Sequence, residues 1–114
     1  MNVNISAKIL RTLPREKAFY FFTSIGNNTG VSASSLKEFM EKINETNVKS
    51  LEFHLCRGDF EKWITEVLQD TELAGEIKKL QKLNPTGEAL RSQLHAVVSM
   101  RLKILTNRFG QVAY

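Results

Sequence analysis

Cysteine is nearly missing from this sequence. Cys56 is the only one in 114 residues, so no disulfide can form within the chain. That fits a reducing compartment. Proline is scarce too: Pro14 and Pro85 are the only two, and each reads as punctuation between elements. No apolar run approaches the roughly 20 residues that a membrane-spanning helix needs. The opening residues 1–8 lack a charged segment followed by an apolar one, so no secretory signal is expected and the cytoplasm is the expected location. There the Asn-x-Ser/Thr triplets at Asn4, Asn27 and Asn44 carry no glycosylation meaning. The glycine pattern matches neither a dinucleotide fingerprint nor a Walker loop. No internal repeat, sustained heptad or low-complexity tract is present.

What is present describes an ordinary globular chain. The apolar fraction of 42% and the charged fraction of 25% are typical of one. A length of 114 residues suits a single domain over 1–114, with 1–13 as a short helix or a loose arm. Such a chain buries roughly two-thirds of its unfolded surface, enough for one core. The net charge is +4. Residues 1–58 hold 8 bases and 5 acids, residues 59–86 hold 4 and 6, and residues 87–114 hold 4 and 1. The base therefore collects at the ends, a pattern that serves solubility and also suits an anionic partner.

Periodicity predicts a mainly α fold: a compact bundle of about five helices, with room for one short extended N-terminal segment. Ala18 to Thr23 is short and aromatic, and favours that extended state. Gly26-Asn-Asn-Thr-Gly30 reads as a loop. Ser32 or Ser34 is expected to cap a helix running to about Asn44, whose Leu36, Phe39, Met40 and Ile43 share one face. Val48 to Arg57 alternates like a strand but also fits a helix. With helices on both sides it is assigned as helix, ended by Gly58. Asp59 is the expected cap of the next helix, which carries Phe60, Trp63, Ile64, Val67 and Leu68 along one stripe. Asp70 or Thr71 opens another, with Leu73, Ala74, Ile77 and Leu80 inside. Residues 84–87 turn the chain into a last helix from about Glu88 to Asn107.

On that last helix Leu90, Leu94, Val97, Val98, Leu102, Ile104 and Leu105 form one apolar arc, with Arg101 near its middle. A buried guanidinium needs a carboxylate, and Glu52, Asp59 and Asp70 are the candidates. Otherwise its stem snorkels outward.

The run from Leu51 to Ile64 is the densest in chemistry. His54 and Cys56 could pair as base and nucleophile, but two residues apart on a helix they point away from each other. His54, Cys56, Asp59 and His95 fit no closed zinc spacing. The plainer reading has His54 bonded to a neighbour and Cys56 packed as a small hydrophobe. Arg57-Gly58-Asp59 matches an adhesion tripeptide, but glycine for a corner and aspartate for a cap explain it without one. Trp63 reads as a core anchor. No metal, cofactor or catalytic residue is assigned. For nucleic acid, Lys78, Lys79, Lys82, Arg91, Lys103 and Arg108 are the candidates, set against acids on the same helices.

Ala33-x-Ser35-Leu36-x-Glu38-Phe39, then Ser50-Leu-Glu-Phe-His54-x-x-Arg57-Gly-Asp-Phe-x-x-Trp63-Ile, then Asp70-x-x-Leu73-Ala74 resembles an uncharacterised prokaryotic domain family of unknown function, frequent in archaea. The similarity spans about Leu13 to Leu105. It implies a small, mainly helical, cytoplasmic domain without an assigned activity. It also implies that His54, Arg57, Asp59, Trp63 and Asp70 act together, and Arg101 joins them as a polar-corner candidate. The expectation is a non-enzymatic module that binds another macromolecule, most readily a protein. Nucleic-acid binding is one alternative, and a ligand site or enzyme at His54, Arg57 and Asp59 is the other.

Overall fold

The computed structural model describes residues 2–112, with side chains described over 5–108. Its longest element is the last helix, and most of the others lean on it. In chain order the elements are α1 (Asn2–Leu10), a short 3-10 turn (Arg15–Lys17), β1 (Phe19–Ser24), β2 (Asn27–Ala33), α2 (Leu36–Glu45), α3 (Val48–Arg57), α4 (Asp59–Trp63), a π turn continuing α4 (Ile64–Leu68), α5 (Thr71–Leu83) and α6 (Gly87–Val112). Helix α6 packs against α1, α2, α3 and α5, and the hairpin packs on α3 and α2. Among the described residues there are thus six α-helices and one two-stranded antiparallel sheet. The mainly helical expectation stands, and the expected count of about five is close to the six found. The region 1–13, left open as helix or arm, carries α1, with Ile9 and Leu13 buried in the core.

The extended reading of Ala18 to Thr23 matches β1. The loop expected over 26–30 does not hold as such, because β2 begins at Asn27. Only Ala33 of β2 is buried, so no alternating apolar signal marks the strand. The register between β1 and β2 shifts on both sides of Phe22. Helix α2 is capped by Ser35, one residue beyond the expected caps, and its hydroxyl accepts from Glu38 N–H at 3.1 Å. Glu38 returns a bond to Ser34 N–H at 2.8 Å, a close relative of the capping box.

Gly58 ends α3 in the left-handed region, at φ 78°. Gln81 supports that end by donating Nε2–H to Leu55 O at 3.0 Å and Cys56 O at 3.2 Å. After Trp63 the helix widens into a π turn. Gln69 follows at φ 63°, and Asp70 N–H reaches back to Ile64 O at 3.1 Å. The widening places the next helix start, Asp70, beneath α6.

One contiguous core runs from Ile9 to Leu105. Phe19 sits at the centre of an aromatic cluster, with ring centroids 4.9 Å from Phe21, 5.8 Å from Phe39, 5.1 Å from Phe60 and 5.5 Å from Trp63. Trp63 donates its indole N–H to Lys17 O at 2.8 Å, which satisfies its one polar atom and fixes the approach to β1. The anchor reading of Trp63 therefore agrees with its geometry.

Candidate functional site

The six polar-corner candidates fall into two separate groups, with Trp63 apart from both. The first group is built where the irregular β1 meets the α3–α4 corner. Phe22 N–H is donated to His54 Nε2 at 2.8 Å instead of to β2. His54 Nδ1 lies 2.8 Å from Asp59 Oδ2, and with Nε2 accepting, Nδ1 is the nitrogen that carries the proton. Both ring nitrogens are spent and the tautomer is fixed. Burial lowers the His54 pKa below its ordinary 6.5, against the opposing pull of the Asp59 hydrogen bond and charge; the Arg57 charge lowers it further. Protonation would also break the bond from Phe22, so the ring is neutral at pH 7.

Asp59 is not the cap expected of it. Gly58 takes the cap position, and the Asp59 carboxylate turns back toward His54 and Arg57. Its charge still favours the start of α4 through the helix dipole. Oδ2 receives His54 and lies 3.2 Å from Arg57 Nε. The Arg57 guanidinium carbon stands 5.0 Å from the centroid of the Phe53 ring. Arg57 keeps 49% of its side chain exposed and Asp59 26%, whereas His54 is closed off. The ring is covered by aromatic neighbours, Phe19 at 4.8 Å and Phe53 at 5.0 Å among them. Arg57 and Asp59 border an open cavity of about 350 Å³ between the hairpin and α3.

The second group holds Arg101 and Asp70. Arg101 Nε and one Nη donate to the two Asp70 oxygens at 2.8 and 3.1 Å, and its other Nη reaches Glu72 at 2.7 Å. Asp70 Oδ1 also accepts Leu73 N–H at 3.2 Å and so caps α5. Of the three carboxylates considered for Arg101, Asp70 is the partner. This group ties the start of α5 to α6.

The basic candidates are scattered. Arg91 donates to Ile43 O at 2.7 Å and Thr46 O at 2.9 Å, which closes the C-terminal end of α2. Lys79 pairs with Glu76 at 3.1 Å. Lys78, Lys82, Lys103 and Arg108 are exposed. Cys56 is exposed rather than packed, which corrects the small-hydrophobe reading: it lies on the outer side of α3. Among the described residues no group of three or more His, Cys, Asp or Glu is placed to hold a metal, and no helix is long and apolar enough to cross a membrane.

Sequence reasoning missed a surface between α5 and α6. A groove of about 670 Å³ is lined by Glu72, Gly75, Glu76 and Lys79 on one wall and by Val97, Met100, Ile104 and Arg108 on the other. Met100 is 62% exposed and Ile104 38%. Ile104, expected inside the apolar arc, lies on its flank beside Met100; the buried seam is Leu90, Leu94, Val98 and Leu105. An apolar residue on the flank of such a seam is the signal that could have found it.

The fold and these sites define a small, mainly helical protein that carries a β-hairpin, a neutral His–Asp–Arg corner and an apolar helix groove. The chain belongs to a family of unknown function, DUF5752, whose sequence model matches residues 2–99. No curated protein and no solved structure matches it.

Proposed function

We propose that the protein is a non-enzymatic binding module whose α5–α6 groove takes an amphipathic helix of a partner protein. The observation that carries this is the exposed Met100 on the α6 wall of an apolar groove. The size of the groove selects the occupant. From Ala96 to Arg108 it runs about 18 Å at 1.5 Å per residue. Across two packed helices that is on the order of 400 Å² for each partner, about half of what a standard protein interface buries. A second folded copy would be held poorly by such a patch, whereas a helix of about three turns fills it. Glu72 and Glu76 on the α5 wall are already paired with Arg101 and Lys79, so the groove selects by its apolar face, and Arg108 favours an acid near one end of the helix. A cytoplasmic setting belongs to the same reading, supported by the exposed free thiol of Cys56.

The test uses a labelled synthetic helix of about 14 residues, with leucines on one face, glutamines beside them and a glutamate near one end, followed by fluorescence anisotropy. Saturable binding is expected. Met100→Glu and Ile104→Glu abolish it, and Ile25→Glu on the hairpin tip leaves it intact. Absence of binding at millimolar peptide, or equal binding by Met100→Glu, overturns the reading.

A further inference from the structure

The cavity beside His54 is distinct from the α5–α6 groove and has a different chemistry. Its walls are aromatic and apolar: Tyr20, Phe22, Ile25 and Phe53 face it from the hairpin and α3. Its one charged end is the Arg57–Asp59 pair. Asp59 Oδ2 faces His54 and Arg57 Nε, whereas Asp59 Oδ1 and the Arg57 Nη groups make no hydrogen bond among the described residues. The end of the cavity therefore offers donors next to an acceptor. With His54 neutral, the pair sums to zero charge, so neither an anion nor a cation is favoured by net Coulomb attraction. What fits is a neutral flat molecule with its own acceptor beside a donor. Such a ring stacks on the aromatic walls, as bases do on aromatic platforms. A volume of about 350 Å³ lies at the lower end of small-ligand sites.

We propose that this cavity binds a neutral planar heterocycle through a lactam edge, a ring C=O beside a ring N–H, of the kind that guanine and uracil rings carry. Arg57 Nη–H donates to the carbonyl and Asp59 Oδ1 accepts from the ring N–H. His54 is a positioning residue: by occupying Oδ2 and anchoring Phe22, it holds the carboxylate and the aromatic wall in place. The edge could come from a free nucleoside or from an unpaired base in a strand, and the test separates the two.

The experiment is an amide chemical-shift titration of the full chain with guanosine, uridine, their ring-N-methylated forms, adenosine and a short oligouridylate. Guanosine and uridine are expected to move the signals of Tyr20, Phe22, Phe53 and Arg57 in a saturable way. Methylation of the ring nitrogen removes the donor to Asp59 and weakens binding about tenfold or more, as does Arg57→Met, since a bond to a charged group is worth that much. Arg57→Met alters an exposed side chain, and its unfolding midpoint, measured alongside, shows that the fold is kept. An affinity for the oligouridylate well above that for uridine, lost with added salt, places the base in a strand; equal affinity places the site with free nucleosides. Three results overturn the proposal: no saturable shift at the cavity, equal binding by the methylated forms, or shifts confined to the α5–α6 groove.

Discussion

Replacing Arg101 by methionine is expected to destabilise the fold far more than a surface ion pair would. Arg101 is 12% exposed in its side chain and Asp70 1%. The two Asp70 oxygens receive three N–H groups, two from Arg101 and one from Leu73. Arg101→Met keeps the stem and removes two of the three, leaving a carboxylate sealed under α6 with one backbone partner. Breaking a buried pair from one side costs about 3–5 kcal/mol. The bond to Glu72 adds little, because that carboxylate is 70% exposed. A drop in melting temperature on the order of 15 °C follows for a chain of this size. Urea unfolding followed by circular dichroism measures it, since urea adds no ions to screen the pair. The denaturant slope should stay constant while the midpoint falls. Adding Asp70→Asn to Arg101→Met should recover about 2 kcal/mol, because the amide keeps the cap and removes the stranded charge. The reasoning is refuted if Arg101→Met unfolds within about 1 kcal/mol of the parent, or if the double variant is no more stable than the single one.

Three further outcomes follow from the geometry. His54 has a folded pKa below its unfolded 6.5, so the unfolded chain takes up the proton first, and stability is complete above 6.5 and declines as pH falls below it. Urea midpoints taken across this range should show the decline, and His54→Gln, which cannot titrate, should flatten it. Gly58→Ala should cost about 1–2 kcal/mol from the left-handed backbone alone, because a Cβ there meets only Gln81 Nε2 at an ordinary 3.8 Å; a calorimetric loss near zero would contradict the strain. Arg91→Met frees the Ile43 and Thr46 carbonyls, so hydrogen exchange should quicken in the last turn of α2, with a loss of about 1–2 kcal/mol.

The helices with strong periodicity were legible because one face of each meets the core. In α5 the expected Leu73, Ala74, Ile77 and Leu80 are all buried. Strand β2 was not legible, because Asn27 to Ser32 contribute no fully buried side chain and pair in a broken register. The π turn leaves no trace in the sequence, since Ile64, Val67 and Leu68 fit an ordinary helical stripe equally well. At the corner, the sequence drew attention to His54, Arg57 and Asp59 but misjudged the work of Asp59. A cap and a histidine partner are both short polar roles next to a glycine, and only the φ of Gly58 decides between them. Asp70 is one of three carboxylates that the sequence offers Arg101, and the register of α6 against the start of α5 selects it over Glu52 and Asp59. Met100 drew no notice, because a single exposed apolar residue is unremarkable until a second helix places a groove around it.

The groove can be tested directly on its own side chain. The chain has three methionines, Met1, Met40 and Met100, so methyl-labelled methionine gives a sparse spectrum. Met40 is half-buried on α2 and serves as the internal reference. On titration with the synthetic amphipathic helix, the Met100 methyl signal should shift saturably while that of Met40 stays in place. A Met100 signal that does not move at millimolar peptide, or one that moves no more than Met40, would contradict the assignment of the groove as the binding face.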